Sequence, residues 1–342
     1  MKKIYGCFLF LFFGVSAIAQ ISAVEWYNKG KKLQGEKNYK AAIDIYKKAI
    51  EKDNNFFDAW YEMGWCQNEI TNYNDAVLSL TKADQLKPGM SSVIFELGYA
   101  NEKKGSYSDA IFNYRKCAII NPNYASAWYH KGWCENQIEI YDSAYYSCIN
   151  AVEISAVYRE AYDELGFACY KLKKNEEAIN AYRQSINLDP SKSAGFNGIG
   201  DVFKSNYKNY DSAIAYYNIA YEKNPRNKKA PYSIGWCLNE KGKFDEAIPY
   251  LKNALALDIN DNNTRTELGY AYYKLKNYDD ALFQFTLIMN SSSTDELSRY
   301  YAGFCYYLKD DQYNLKRMID QLQNINTTNS LRYVETLKKY IK

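Results

Sequence analysis

A glycine recurs at residues 30, 64, 98, 132, 166, 200, 235, 269 and 303, at a spacing of 34 in every interval but one, which is 35. Ala42, Ala76, Ala110, Ala144, Ala178, Ala213, Ala247 and Ala281 follow twelve or thirteen residues later. With each glycine numbered as position 8, rings hold position 4 in Trp26, Trp60, Trp128, Tyr162 and Phe196. Position 24 holds Tyr46, Leu80, Tyr114, Cys148, Tyr182, Tyr217, Leu251 and Phe285. Positions 4, 7, 8 and 11 are spaced as one helix face and positions 20, 24 and 27 as another, so each block predicts two helices with facing apolar stripes. Small residues at 8 and 20 let the two backbones close up. Turns such as "KNYKAA" and "GKFDEA" separate the helices, and Asn74, Ser108, Asp142, Asp211, Asp245 and Asp279 are the expected caps of the second one. Pro88, Pro122, Pro190 and Pro225 stand where that helix should stop.

A single hairpin of this kind cannot bury both apolar faces, so neighbours must stack. The pattern resembles the tetratricopeptide repeat over roughly residues 23 to 325. The resemblance implies an all-α, right-handed superhelical solenoid of about nine helix-turn-helix repeats plus a C-terminal capping helix. Repeats 1–5 would span 23–192, the sixth 193–227, repeats 7–9 228–325 and the cap 330–342. The pattern weakens where Asn54, Ala156, Ile259 and Ser293 replace the proline, and where Leu315 replaces the alanine of the ninth block. After the polar "NTTNS", the residues Leu331, Val334, Leu337 and Ile341 share one side of a helix that would cover the last apolar face.

The first nineteen residues change the picture of where the chain acts. Lys2 and Lys3, an apolar run and the Ala17-Ile18-Ala19 site before Gln20 read as a secretory signal peptide over 1–19. An uncleaved anchor is the alternative, and the apolar run is short for a membrane span and lacks a stop-transfer flank, which argues against it. The expectation is an exported chain, periplasmic or secreted, with no membrane span after cleavage. The 43 basic and 40 acidic residues nearly cancel, giving no electrostatic footprint for nucleic acid. His130 is the one histidine, which leaves little for imidazole catalysis or a histidine metal site, and no cofactor or metal is expected.

Three blocks carry "GWC", at 64–66, 132–134 and 235–237. The cysteines at position 10, Cys66, Cys134, Cys237 and Cys305, fit a tightly packed helix as small hydrophobes. No C-x-x-C occurs, and of all pairs only Cys148 and Cys169, on adjacent blocks, come near enough for a possible disulfide. The tryptophan differs. Positions 5, 9 and 12 share a face beside the packing stripe, and in the family this chain resembles that face lines the concave groove. The candidate groove residues are Tyr61, Trp65, Asn68, Phe95, Tyr99, Tyr129, Trp133, Asn136, Phe167, Tyr232, Trp236, Asn239 and Tyr270. The asparagines each offer a donor and an acceptor. An extended peptide or protein segment is the expected partner, in a non-catalytic scaffold or adaptor of the cell envelope. A glycan or peptidoglycan strand stacked on the same rings is the alternative, and rings that merely pack on one another would need no ligand. The acidic neighbours Asp163 and Glu164 should point apart on their helix, which argues against a catalytic pair.

The sixth block stands apart. "GFNGIGD" looks like a phosphate-cradling loop but follows no strand, and it falls on repeat positions 3 to 9. Gly195, Gly198 and Gly200 each weaken a helix by about 1 kcal/mol relative to Ala. Asn197 and Asp201 interrupt the wall of rings, and the block carries the one extra residue. A hinge there is the expectation.

Overall fold

The structure, a computed structural model, describes residues 21–342, so the expected leader at 1–19 lies outside it. The described residues form nineteen α-helices and no strand. They fall into two compact units, one reaching to Asn123 and one covering Tyr124–Lys342. The first contains α1 (Ala23–Gly35), α2 (Tyr39–Lys52), α3 (Phe57–Glu69), α4 (Tyr73–Leu86), α5 (Ser91–Lys103) and α6 (Tyr107–Ile120). The second begins with α7 (Ala125–Gln137), α8 (Tyr141–Ile154), α9 (Arg159–Lys171), α10 (Asn175–Leu188) and α11 (Ala194–Val202). It continues with α12 (Tyr210–Lys223), α13 (Lys229–Glu240), α14 (Phe244–Leu257), α15 (Asn262–Lys274) and α16 (Tyr278–Ser291). It ends with α17 (Glu296–Leu308), α18 (Gln312–Ile325) and α19 (Thr328–Lys338). Within each unit the helices pair as hairpins, and each hairpin stacks on the next.

The recurring glycine is a notch for position 24 of its own hairpin. A methyl group on Gly64 would lie 2.6 Å from Leu80 Cγ, one on Gly98 2.8 Å from the Tyr114 ring, and one on Gly235 2.5 Å from Leu251 Cγ. Tyr46 fills the notch of Gly30, and Cys148 Sγ that of Gly132. Tyr46, Leu80, Tyr114, Cys148, Tyr217, Leu251 and Phe285 are all fully buried. Cys148 therefore packs rather than bridges, and both it and Cys169 are free thiols. Burial pushes the Cys66, Cys169, Cys237 and Cys305 thiols up to about 12, so they stay protonated at neutral pH.

The caps differ from those expected. Asn38, Asn209 and Asn277 cap α2, α12 and α16 by accepting from Ala41, Ser212 and Asp280 N–H. The cap thus precedes the tyrosine of the turn, and the acidic or amide residue after that tyrosine lies inside the first helical turn, where Asp75, Asp142, Asp211, Asp245 and Asp279 favour the positive helix end. Position 15 turns left-handed in every hairpin outside the sixth, as Lys37, Thr71, Glu139, Lys173, Lys276 and Asp310 show at φ of 59 to 63°. Glycine takes that place only at Gly105 and Gly242.

In the sixth hairpin the extra residue is absorbed by a π-helical segment, Phe203–Tyr207, that closes on left-handed Lys208. Asn206 of that segment donates to Tyr170 C=O and Asn175 Oδ1, tying it to the preceding hairpin. The three glycines there have tertiary partners that helix propensity ignores. A methyl on Gly198 would sit 2.3 Å from Tyr182 Cζ, and one on Gly200 2.6 Å from the Tyr217 ring. At the C-terminal end, Val334 and Leu337 of α19 are buried with Leu315, Ile319 and Leu322, while Leu331 stays exposed. Leu337 fills the notch of Gly303, the place that position 24 takes elsewhere. The "NTTNS" segment is partly helix, with Thr327 capping α19 in a reciprocal pair with Ser330.

Gly64→Ala should destabilise the chain by about 1–3 kcal/mol, because the methyl overpacks against Leu80. Gly35→Ala, in a helix with nothing within 4 Å, should be neutral or stabilise by up to about 1 kcal/mol. Denaturant unfolding of the two variants checks this; equal effects would refute the notch.

Candidate functional site

The position-9 rings lie along the first helices of the hairpins and are half-buried. Five of them meet the edge of a ring at position 17 of the hairpin before. Trp65 lies 5.6 Å from Tyr39 at 82°, Tyr99 6.5 Å from Tyr73 at 76°, and Phe167 6.1 Å from Tyr141 at 75°. Trp236 lies 5.8 Å from Tyr210 at 82° and Tyr270 5.9 Å from Phe244 at 81°. T-shaped pairs of this kind are each worth about 0.5–1.5 kcal/mol beyond their buried area. The sequence reading missed the position-17 partner, although Tyr or Phe stands there in most blocks. A lysine one turn along lies over the same rings: Lys103 4.9 Å from the Tyr99 centroid, Lys171 5.5 Å from Phe167 and Lys274 5.2 Å from Tyr270.

The position-5 rings sit deeper in the helix contacts. Tyr61 stacks on Phe57 at 6.2 Å, Phe95 meets Tyr114 at 5.5 Å and Tyr129 meets Tyr158 at 4.8 Å. Burial pushes the Tyr232 phenol up to about 12. Trp133 is half-buried at its place on α7.

The asparagines at position 12 use their amide donors within the scaffold. Asn68, Asn136 and Asn239 are buried, and each donates its amide to a glutamate of the following hairpin. Asn68 bonds Glu96 Oε2 at 2.9 Å, Asn136 bonds Glu164 Oε2 at 2.8 Å and Asn239 bonds Glu267 Oε2 at 2.9 Å. Each also reaches the same glutamate's backbone carbonyl. Gln34 makes the equivalent bond to Glu62 Oε2 at 2.8 Å. Position 12 is therefore a staple between hairpins, because a short amide on the first helix faces position 6 of the next first helix rather than solvent. Nothing in one repeat read alone reveals that partner.

A polar concavity lies within the second unit, at the fifth and sixth hairpins. A cavity of about 370 Å³ is lined by Asp163, Glu164, Phe167, Tyr182, Asn197, Asp201 and Lys229, among others. Asp163 and Glu164, expected to point apart, both border it. Burial raises the Asp163 carboxyl above its usual range, against the opposing pull of Ser185 and Arg159. Burial also raises Glu164 to about 7 despite the bond from Asn136. Asp201 accepts from Tyr217 Oη at 2.7 Å and from Lys229 Nζ at 2.7 Å.

Because the folded chain raises the Glu164 pKa above that of an unfolded glutamate, its contribution to stability is whole below about 4.5 and is lost as the pH rises through about 7. Glu164→Gln keeps an acceptor for Asn136 and carries no charge. It should leave the unfolding free energy near that of the native chain at pH 5 and raise it at pH 8, by up to about 3 kcal/mol. Denaturant titrations at the two pH values measure the difference; no gain at pH 8 would refute the assignment.

Segments of the chain match known repeats. Residues 26–56, 91–124 and 45–77 match the tetratricopeptide repeat, and 166–206 match the TPR repeat. Residues 206–286 match anaphase-promoting complex, cyclosome, subunit 3. The protein bimA of Emericella nidulans is 23% identical over 107 residues, which is 31% of this chain and 13% of that protein's length. A tetratricopeptide repeat protein from Parabacteroides merdae superposes with a TM-score of 0.57 at 15% identity, covering 73% of this chain and 98% of its own. The Cut9–Hcn1 hetero-tetramer of the APC/C gives a TM-score of 0.55 at 15% identity, over 92% of this chain and 76% of that one. YrrB, described as a TPR protein with an unusual peptide-binding site, gives 0.50 at 23% identity, over 56% and 97%. Period, hairpin packing and matched segments together support the tetratricopeptide repeat as the family of this chain's repeating unit.

Proposed function

We propose that the chain is a non-catalytic protein-interaction scaffold that holds an extended polypeptide segment along the ring-bearing face of its first helices. The observation that carries this reading is that the position-9 rings stay half-exposed after the core is complete. Position 24 already fills each hairpin, so Trp65, Tyr99, Phe167, Trp236 and Tyr270 are not needed to close it. YrrB supports the reading by analogy, since it has the same kind of repeat and its description names a peptide-binding site. The candidate nucleophiles support it too, because the buried cysteines are held as thiols.

A polypeptide suits these rings better than a glycan. Sugar stacking needs open ring faces, whereas lysines cover one face of Tyr99, Phe167 and Tyr270, and a neighbouring ring meets each of them from another direction. Apolar side chains of a peptide need only the remaining edges and clefts. With the signal-like leader at 1–19, the reading places the scaffold in the exported compartment, at the cell envelope or outside it.

Trp236→Ala separates binding from packing. Loss of the T-shaped pair with Tyr210 together with the ring's packing on the core and under Lys204 should cost about 2 kcal/mol of stability, against about 3–5 for a core tryptophan. Binding of a fluorescently labelled, permanently unfolded polypeptide should weaken by tenfold or more, as expected for an aromatic anchor worth about 2 kcal/mol. Anisotropy titration and thermal melts measure both. A variant that unfolds early, or one that binds as the native chain does, contradicts the proposal.

A further inference from the structure

The cavity at the fifth and sixth hairpins breaks the ring pattern in one place, and it breaks it with acceptors. Position 5 of these two consecutive hairpins is Asp163 and Asn197, where the earlier ones carry Tyr27, Tyr61, Phe95 and Tyr129. Asn197 is 4% exposed, and its Oδ1 is buried with no hydrogen-bond partner. Asp163 Oδ2 accepts from Arg159 Nη1 at 2.5 Å, while its Oδ1 is likewise buried and unpartnered. Both residues line the same cavity. Asn68, Asn136 and Asn239 Oδ1 also lack partners, but Asp163 and Asn197 are the two whose orphaned oxygens border one cavity, where a hydrogen-bond donor would satisfy both.

The lining narrows the donor further. Its one cation, Lys229, is already engaged with Asp201 Oδ2 at 2.7 Å. Three carboxylates, Asp163, Glu164 and Asp201, border the space. Burial raises the first two above their usual range; Asp163 has Arg159 as counter-ion on Oδ2, while Glu164 is bonded by the neutral amide of Asn136. Phe167, the position-9 ring of this stretch, forms part of the same wall and suits an alkyl stem. A group with several donors, no acceptor and a positive charge fits all of this, and a primary ammonium has that inventory.

We propose that this cavity is a subsite for a primary ammonium of the bound polypeptide, a lysine side chain or a free amino terminus, that donates to Asp163 Oδ1 and Asn197 Oδ1. The inference rests on the peptide-scaffold reading above and adds to it a preferred residue and a register: one cationic group at the fifth and sixth hairpins, with apolar neighbours along the flanking rings. It also gives a use to the polar interruption that Asn197 and Asp201 make in the ring wall.

The test titrates the full described chain with three nine-residue Ser/Leu peptides of otherwise identical sequence. One is capped at both ends with a central lysine, one is capped with norleucine in that place, and one has norleucine and a free amino terminus. At least one of the two ammonium-bearing peptides should bind roughly tenfold or more tighter than the capped norleucine peptide, in keeping with a charge-assisted hydrogen bond. The arm that gains identifies the source of the ammonium. Asn197→Ala should remove that gain while leaving affinity for the capped norleucine peptide unchanged. Equal affinity of the native chain for all three peptides overturns the subsite and leaves the peptide groove standing. Binding of none of them overturns both.

Discussion

The contact on which the structure depends is the seat of position 24 on the position-8 glycine. With no β-carbon at Gly30, Gly64, Gly98 or Gly132, the side chain of Tyr46, Leu80, Tyr114 or Cys148 reaches the backbone of the facing helix. That approach brings the two helices of a hairpin close and fixes their relative rotation. The rotation then determines which positions face the next hairpin. Positions 6 and 12 meet as the amide–glutamate staples, and positions 9 and 17 meet as the ring pairs. The cap helix shows the same rule at the end of the chain, where Leu337 takes the notch of Gly303.

This geometry explains how far the sequence could be read. The hairpins, their number and their packing faces were legible because each rests on contacts within one 34-residue block, and the block is repeated. The features that were not legible depend on contacts between blocks or on backbone torsion. Asn68, Asn136 and Asn239 read as exposed donors because their glutamate partners lie 28 residues away. The cap was placed two residues late because the turn carries a left-handed residue that is usually lysine or another non-glycine. At the glycines of the sixth block, propensity counts the missing side chain and not the Tyr182 and Tyr217 rings that occupy its space. Of the candidate site, the position-9 rings are half-buried on the first helices, while Asn197 and Asp201 read in the sequence only as gaps in the wall and Asp163 only as a neighbour of Glu164.

The rings accordingly have a double use. One side of Trp65, Tyr99, Phe167, Trp236 and Tyr270 helps join neighbouring hairpins and the other remains outside, so on the reading proposed above stability and recognition come from the same residue. Where the ring pattern stops, polar groups take over the concavity, and two of their oxygens lack partners. On the proposed reading, apolar contacts along the first helices of the second unit hold a polypeptide and a single polar point there fixes its register.

Hydroxyl-radical footprinting of the chain, with and without a permanently unfolded polypeptide, tests the recognition face directly. The account predicts protection of Trp65, Tyr99, Trp236 and Tyr270 on the first helices. Phe112, Tyr146 and Tyr313, which are 58%, 66% and 78% exposed on second helices, should react at unchanged rates. Protection confined to Phe112, Tyr146 or Tyr313, or no protection of the first-helix rings at saturating polypeptide, would contradict it.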